Sequence, residues 1–465
     1  MPRLPFHLLQ HSASEHRLLL AAGPVFVVLD TSTGAVVAAP APVGERPPRS
    51  PSKAATKWIP REHFGERIRG VCWNEATSTM AVSTDSKALQ LWRTSGASWE
   101  LLNSRQTIKR NNCVVFSPSG SDVIVGDKFG DVYRFPVADP TKRAQLLVGH
   151  VSMITDLAWS HDRKFIITAD RDEKIRVSKY PNSFEIERFC LGHEQYVTRI
   201  LPLPNAPGVL VSGGGDPYLI LWDYTSGTIL QKLQVIDTET VDIKTTAVLS
   251  IKYTSVSQSL AVIFEKQNLI LIIDASQGRS LSIKQRLATS QPPLDVAFDS
   301  KGHLWIASHA GDDDALVELA VLEDGAYLAP SSSHALVRNI AHFATPTVDE
   351  LPDLFEMHKL RKSSGAEHYH EQKKKQQKQR NELFDSRKRK GGAEDADGGA
   401  KGDDGAVGAG SGSGAGEAGG EQPAKKTRRS ERQAAKKAGA DAAQQRDAQR
   451  DDAAKAKTEA DAEAE

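Results

Sequence analysis

Three side chains of the types that form a hydrolase triad lie close together in the sequence: His193, Ser212 and Asp216. In such a triad the serine attacks the substrate, the histidine removes the serine proton and the aspartate orients the histidine. A similar set, built around His150, occurs one repeat earlier, and neither set is accompanied by a nucleophile elbow or an oxyanion hole. Because a set that recurs along a chain is typical of scaffolding, we predict that these residues are structural and that the chain has no catalytic residues.

Other enzyme classes leave no positive sign in the sequence. The run Gly213–Gly215 precedes a proline and an apolar stretch of strand length, so we interpret it as a turn between strands rather than a nucleotide-binding loop. No phosphate-binding loop or metalloprotease motif occurs. Cys72, Cys113 and Cys190 are too far apart in the sequence to indicate a zinc site. We therefore predict no cofactor and no metal in this chain, and reduced cysteines in its core.

The sequence repeats with a step of 43 residues, since Gly149-His150 recurs as Gly192-His193. This is the step of the WD40 repeat, whose four-stranded units are the blades of a β-propeller. Apolar strands separated by short turns mark seven units, so we predict an all-β, seven-bladed WD40 propeller. Six or eight blades stay open as alternatives, because the sixth and seventh units are degenerate. The predicted blades span residues 6–39, 66–105, 108–147, 151–190, 194–233, 246–288 and 293–323.

Resemblance to the WD40 family implies a hydrogen-bonded tetrad that links the layers of blade five: His193, Ser212, Asp216 and Trp222. In blade four the same comparison assigns His150, Thr168 and Asp172 to the first three roles. Ser178 stands there in place of the tryptophan. The network of blade four is therefore expected to be shorter or altered.

Composition divides the chain into a folded part and a polar extension. Lys plus Arg and Asp plus Glu both number 59, so no net charge draws the whole chain toward nucleic acid. No apolar run reaches the length of a membrane span, and we expect no membrane association. Asp353 is the expected N-cap of a helix after the propeller, with Glu356 as its capping-box partner. The predicted divisions are a propeller over 1–345 with an insertion near 40–65, a connector and helix over 346–385, and a disordered charged tail over 386–465.

Two basic clusters stand among acidic neighbours in the tail. They are typical of nuclear localisation signals or nucleic-acid patches, with a solubilising tail as the alternative. We therefore expect the protein in the nucleus. The clusters comprise Arg387, Lys388, Arg389 and Lys390, and Lys425, Lys426, Arg428 and Arg429.

The turn of blade four carries charges of both signs within one short hairpin. The residues equivalent to Arg176 in sister blades are Gln90, Tyr133 and Ile220, so the repeat does not require a charge there. The alternative is a solvated hairpin whose charges pair with one another and contribute less than about 1 kcal/mol each. A rigid hairpin of mixed charge offers a partner something specific to match. The predicted partner-binding residues are Arg171, Asp172, Glu173, Lys174 and Arg176.

The stretches 149–156, 165–178 and 189–197 resemble the non-catalytic WD40 subunit of the eukaryotic tRNA (guanine-N7)-methyltransferase. They include Val177-Ser178, where ordinary repeats end in Trp-Asp. The resemblance implies a heterodimer in which this chain binds and stabilises a separate methyltransferase. That partner, and not this chain, is expected to bind S-adenosylmethionine and to form 7-methylguanosine in the tRNA variable loop. The resemblance also places the charged hairpin of blade four in the contact surface.

Basic residues that follow the propeller are candidates for contacts with tRNA phosphates, which would add affinity that weakens with salt. The alternative function is a generic WD40 interaction scaffold in another nuclear complex, such as one for ribosome assembly, chromatin or ubiquitin ligation, because the fold by itself does not specify a partner. The candidate phosphate contacts are Lys359, Arg361, Lys362, Lys373, Lys374 and Lys375.

Overall fold

The computed structural model describes residues 3–12, 16–38, 67–95, 98–308, 316–341, 345–346 and 355–362. In this part the chain forms a seven-bladed β-propeller, so the predicted fold class is confirmed. The predicted insertion near 40–65, the tail over 386–465 and most of the connector lie outside the described residues. No helix in the described ranges is long and apolar enough to cross a bilayer.

Each of the first six blades is an antiparallel sheet of four strands that follow one another in chain order. Blades one to three contain β1 (Leu8–Ser12), β2 (Arg17–Ala22), β3 (Val25–Asp30) and β4 (Val36–Ala38); β5 (Ile68–Asn74), β6 (Thr79–Thr84), β7 (Ala88–Ser95) and β8 (Ser98–Gln106); and β9 (Asn111–Phe116), β10 (Asp122–Asp127), β11 (Asp131–Pro136) and β12 (Gln145–Gly149). Blades four to six contain β13 (Ile154–Trp159), β14 (Phe165–Asp170), β15 (Lys174–Lys179) and β16 (Ile186–Leu191); β17 (Val197–Pro202), β18 (Val209–Gly214), β19 (Tyr218–Asp223) and β20 (Thr228–Gln234); and β21 (Val248–Thr254), β22 (Ser259–Phe264), β23 (Leu269–Asp274) and β24 (Ser282–Ala288).

Blade seven has three strands among the described residues. A small hairpin and a short helix follow it, and the first and last strand residues of each blade lie within a few residues of the predicted blade bounds. The elements are β25 (Pro293–Phe298), β26 (Leu304–Ser308), β27 (Leu316–Ala320), β28 (Leu322–Glu323), β29 (Ala326–Tyr327) and α1 (Arg338–Ala341).

The inner strands of a blade are apolar on both faces because neighbouring blades cover both faces. Strands β18 and β22 are buried along their whole length. The fourth strand is outermost, and β24 accordingly alternates between exposed and covered residues. The core consists of apolar clusters between consecutive blades, such as the one where Val177 of blade four packs with Trp222 of blade five. Each blade therefore depends on its two neighbours for burial.

Among the described strands, none is shared where the ring closes between the first and the last blade. All four strands of blade one come from the N-terminal part of the chain, and the inner strand β1 lies between β5 and β25. The amide N–H of Leu9 donates to Asp295 of blade seven at 2.9 Å. Leu4 is buried in the same cluster as Trp305 of blade seven, and its amide donates to the carbonyl of Pro346 at 2.8 Å. The N-terminal segment thus fastens the ring.

Blade five contains the tetrad expected from the repeat. His193 Nδ1–H donates to Asp216 at 2.6 Å, and Nε2 of the same ring accepts the hydroxyl of Ser212 at 2.6 Å. The Ser212 oxygen accepts the indole N–H of Trp222 at 2.8 Å. All four side chains are buried. Their hydrogen bonds join loop, strand and turn in an environment of low dielectric constant, where such bonds are strong.

Blade four has a shorter network, and its acid is Asp170 rather than the predicted Asp172. His150 Nδ1 bonds to Asp170 at 2.9 Å, and Nε2 bonds to the hydroxyl of Thr168 at 2.7 Å. The two turns are equally long, with residues 171–173 in blade four and 215–217 in blade five, so Asp172 matches Asp216 in position. In blade four, however, the acid at the end of β14 bonds to the histidine. Counting residues from the histidine therefore selected the wrong aspartate.

The described end of the connector forms one 3₁₀ turn, Met357–Leu360, and the predicted helix does not continue through Arg361. Glu356 makes no capping hydrogen bond. Its carboxylate instead pairs with Arg69 of blade two at 3.1 Å. The predicted N-cap, Asp353, lies outside the described residues. The capping box of Asp353 and Glu356 therefore stays a prediction, and the contact that the structure shows for the Glu356 side chain is the ion pair with blade two.

Replacing Asp216 with alanine removes the acceptor for His193 and for the amide N–H of Glu194. A buried polar group that loses its partner costs about 1–3 kcal/mol, so we expect the free energy of unfolding of the full chain to fall by about 2–4 kcal/mol in urea denaturation. Asp237→Ala is the matched control, because Asp237 is exposed and bonds only within its loop. Equal stability of the two variants would contradict a structural role for the tetrad.

Candidate functional site

The turn between β14 and β15 holds its charged side chains in a fixed backbone. The carboxylate of Asp170 accepts the amide N–H of Asp172 at 2.9 Å and that of Lys174 at 3.0 Å. Glu173 has a φ of +65°, in the left-handed region that residues other than glycine seldom adopt. The charges of Arg171, Asp172 and Glu173 are therefore presented in one arrangement.

Arg176 lies inside the blade, not on the exposed hairpin where the sequence placed it. The residue is only 9% exposed. Its guanidinium donates to Ser178 Oγ at 2.8 Å and to the carbonyls of Gly149 and Ser183 at 3.1 Å each. The reason is the missing tryptophan, because Ser178 leaves space that the guanidinium fills. Arg176 thereby ties blade four to the end of β12 in blade three.

The acidic residues of the turn form their described ion pairs with Lys362, on the C-terminal side of the propeller, and not with the basic residues of the hairpin. Lys362 Nζ lies 2.8 Å from Glu173 and 3.2 Å from Asp172. Arg171 Nε donates to the carbonyl of Leu360 at 2.7 Å. Burial alone would raise the pKa of Asp172, but hydrogen bonds led by that of Lys362 outweigh it and lower the pKa. The alternative of a hairpin with self-paired charges is therefore wrong.

The candidate phosphate contacts are divided by the structure. Arg361 is turned toward the propeller, where its Nη2 donates to the carbonyls of Gly215 and Ile243 at 2.7 and 2.6 Å. Arg361 is therefore a hydrogen-bond donor to the backbone of the propeller, in contrast to its predicted role as a phosphate contact. Lys359 is exposed. Other predicted basic residues lie outside the described ranges: Lys373, Lys374, Lys375, Arg387, Lys388, Arg389, Lys390, Lys425, Lys426, Arg428 and Arg429.

An apolar surface on the outer side of blade four was missed by sequence reasoning. Together with Leu146 and Val151 near the edge of blade three, its residues make up six of the twelve large apolar side chains that are exposed among the described residues. Exposure is therefore concentrated here. The available signal was a fourth strand with Phe189 at the position where β24 has Arg286, and Leu191 where β24 has Ala288. The exposed side chains of β16 and the turn before it are Phe184 (76%), Ile186 (46%), Phe189 (40%) and Leu191 (60%).

Strand register puts part of this apolar surface on the same face of the sheet as the buried arginine. Phe189 pairs with Arg176 and Leu191 pairs with Lys174 across β15 and β16. Directly paired residues of antiparallel strands share a face, and this face is turned toward blade three, since Arg176 reaches Gly149. We use the name blade-four surface for the turn 171–174 together with Phe184, Ile186, Phe189 and Leu191.

Cysteines and metal-ligand residues form no site in the part of the chain that the structure describes. No group of three or more His, Cys, Asp or Glu side chains there could hold a metal ion. Cys113 and Cys190 are buried and Cys72 is partly buried, all as free thiols. Burial raises the pKa of each thiol, which suppresses the reactive thiolate. The cysteines are therefore core residues, as predicted.

A family model of the tRNA methyltransferase TRM82 WD40 domain matches residues 70–144 and 136–317, more than half of the chain. The chain belongs to this family. The matched part of the TRM82 domain runs from blade two to blade seven and includes the blade-four surface.

Relatives of this TRM82-family propeller are named tRNA (guanine-N(7)-)-methyltransferase non-catalytic subunits. WDR4 of Homo sapiens is 38% identical over 252 residues, which are 53% of this chain and 61% of the relative. WDR4 of Bos taurus is 35% identical over 289 residues, 61% of this chain and 69% of the relative. For wdr4 of Xenopus laevis the values are 36% over 259 residues, 55% and 65%. The chain thus spans about two thirds of the length of these relatives, and the prediction of a non-catalytic chain is confirmed.

A chain in the crystal structure of a mitotic checkpoint complex is similar in fold to this TRM82-family propeller. The TM-score is 0.52 at 16% sequence identity, over 65% of this chain and 84% of the other. This likeness shows the shared fold alone.

Arg176→Leu should destabilise this TRM82-family propeller in the absence of any partner. The substitution leaves the carbonyls of Gly149 and Ser183 without their donor, so the free energy of unfolding in urea should fall by about 2–4 kcal/mol. Lys174→Ala, an exposed residue of the same strand, should change it by less than about 0.5 kcal/mol. A stable Arg176→Leu variant that loses only its binding partner would show that Arg176 acts at an interface instead.

Proposed function

We propose that the protein is the non-catalytic subunit of a two-protein tRNA methyltransferase. It binds and stabilises a separate S-adenosylmethionine-dependent subunit, which forms 7-methylguanosine in the variable loop of tRNA. The names of the relatives support this class of complex. One observation on this chain supports the binding role: half of the large apolar side chains exposed in the described ranges lie between Leu146 and Leu191, beside the charged hairpin.

The blade-four surface has the composition of a protein interface. Neighbouring exposed apolar side chains keep an unfavourable contact with water that a partner removes on binding. Phe184 and Phe189 are aromatic anchors of a kind that dominates binding energy when buried. The fixed charges of Arg171, Asp172 and Glu173 at the rim would select the partner and its orientation. A nucleic-acid surface would instead be basic throughout, so we assign a protein to this site.

A subunit without catalytic residues raises activity only through its partner. Binding to the native methyltransferase, and not to its unfolded state, stabilises that subunit by mass action. Preferential binding to an active conformation raises its population by the ratio of the two affinities. Both effects need a contact surface of fixed shape, which the turn bonded to Asp170 and the packed neighbouring blades provide. S-adenosylmethionine is assigned to the partner alone.

Basic residues after the propeller are assigned to tRNA binding by the complex. Lys359 is exposed, and Lys373–Lys375 follow further along the chain. They would contact phosphates, which gives affinity without sequence readout. The clusters 387–390 and 425–429 support a proposed nuclear location, because short basic runs of this kind are read as import signals.

Phe189→Ser combined with Leu191→Ser should weaken binding to the catalytic subunit of the same organism. Anchors at the centre of an interface contribute about 1–3 kcal/mol each, so the dissociation constant in isothermal titration calorimetry should rise at least about 30-fold. Val256→Ser combined with Leu328→Ser is the matched control, because both residues are exposed and apolar but lie elsewhere.

Unchanged affinity of the Phe189 and Leu191 double variant would rule out the assigned surface. Failure of the wild-type chain to bind any methyltransferase subunit would rule out the proposed complex and favour the generic scaffold.

Ending the chain after Lys362 should reduce the salt dependence of tRNA binding by the complex. Each lost phosphate contact lowers the slope of log affinity against log salt by about 0.7–0.9. The triple variant Lys373→Ala, Lys374→Ala and Lys375→Ala should account for a slope change of up to about 3. Filter binding at several salt concentrations measures both, and an unchanged slope in the truncated chain would exclude tRNA contacts by the extension.

A further inference from the structure

The segment Phe355–Lys362, which we call the strap, crosses the face of the propeller at the mouth of the central channel. Along its short length it contacts blades two, six, five and four. A cavity of about 170 Å³ lies between the inner strands beneath it, and Glu356, Met357 and Leu360 of the strap line this cavity. The strap is thus bound to the propeller as a peptide ligand would be.

The main anchor of the strap is a carboxylate that is completely buried, that of Glu265 at the end of β22. Its Oε1 accepts the amide N–H of Met357 at 2.5 Å, and its Oε2 accepts that of His358 at 2.6 Å. Nδ1 of His358 lies 3.2 Å from the same carboxylate. Burial raises the pKa of Glu265, and the two amide N–H groups act in the opposite direction. Among the described residues, the strap supplies all the hydrogen bonds of this carboxylate, and a buried carboxylate without them would be strongly unfavourable.

A second anchor holds the other end of the strap to blade five. Arg361 Nη2 donates to the carbonyls of Gly215 and Ile243. Its guanidinium carbon lies 5.8 Å from the centre of the Tyr196 ring, which is only 2% exposed. Bonds from a charged donor to carbonyls and a cation over a buried ring are both favourable in a partly desolvated site. The strap is therefore fixed at both ends.

The contact between the strap and the blade-four hairpin is weaker than these anchors. Lys362 is half exposed, and Asp172 and Glu173 are about one-third exposed. Exposed ion pairs of this kind contribute little, because water and salt screen them. A partner could take over the two acids at small cost while Glu265 and Arg361 keep the strap in place. The strap is thus suited to positioning the chain that follows it and poorly suited to masking the hairpin.

We propose that the channel face is a docking site for the strap, and that this docking fixes the point where the C-terminal extension leaves the propeller, beside the blade-four hairpin. The consequence for tRNA rests on the proposed function. A chain advances at most about 3.5 Å per residue, so Lys373–Lys375 start within about 45 Å of Lys362 whatever their conformation. The strap therefore ends beside the blade-four surface, to which the methyltransferase subunit is assigned.

Two variants of the full chain release the strap from opposite sides: Glu265→Gln alters the blade, and Arg361→Met alters the strap. Glu323→Gln and Arg279→Met are the controls, because both change an exposed side chain of the same type. Amide hydrogen exchange of the isolated chain, read by mass spectrometry, should be at least about tenfold faster over the strap in both test variants. Exchange in β22 should stay as slow as in the wild type, which shows that the propeller is folded.

The second measurement uses the complex with the catalytic subunit. Both strap variants should bind that subunit within about twofold of the wild type, and the complex should bind tRNA at least about threefold more weakly, because the extension is no longer held near its site. Strap amides that exchange in the wild type as fast as an unprotected peptide would overturn the docking site. Released strap with unchanged tRNA affinity would overturn its positioning role. If the wild-type chains form no complex, the proposed function fails, and hydrogen exchange still decides whether the strap docks.

Discussion

The structure depends on one constraint, that a blade of this propeller is apolar on both faces and must be covered on both. Strands β18 and β22 are buried from end to end, so a single blade would expose a whole apolar face to water. Only a closed ring removes every such face. Closure rests on the N-terminal segment, where Leu4 packs in one cluster with Trp305 and Leu9 bonds to Asp295. The stability of each blade is therefore tied to residues at the very start of the chain.

Blade four meets the same constraint by different means. Between blades four and five the indole of Trp222 fills the space and completes the tetrad. Between blades three and four Ser178 is too small to do so, and the guanidinium of Arg176 crosses to the carbonyl of Gly149. At the position of the missing tryptophan, hydrogen bonds thus replace apolar packing, while Val132 and Val148 of blade three still pack against Ile154 of blade four. On the same face of the sheet, Phe189 and Leu191 keep large apolar areas in solvent. The irregular junction and the exposed surface are two aspects of one local change.

The hairpin of blade four also connects this surface to the channel face. Arg171 of its turn donates to the strap, and Lys362 of the strap pairs with Asp172 of the turn. The strap itself is held by the buried carboxylate of Glu265. Strong contacts thus lie at the centre of the face and weak ones at its edge. This order leaves the edge charges available to another protein without loosening the centre. Binding and anchoring are separated because water screens the outer ion pairs and does not reach the inner carboxylate.

The repeat and the tetrad of blade five could be predicted from the sequence, because both depend on short-range patterns of apolar residues, turns and spacing. The same patterns favoured seven blades over six or eight, and the strands of the structure decided for seven. The resemblance over 149–197 was also enough to predict the family. The sequence did not reveal that Arg176 is buried, that Asp170 bonds to His150, or that Lys362 reaches Glu173. Burial and pairing of such groups depend on atoms that are distant in the chain. The residue type alone does not distinguish a charged side chain on the surface from one inside a blade. Only the closed ring, which brings blade three, blade four and the strap together, decided which charges face solvent and which hold the structure.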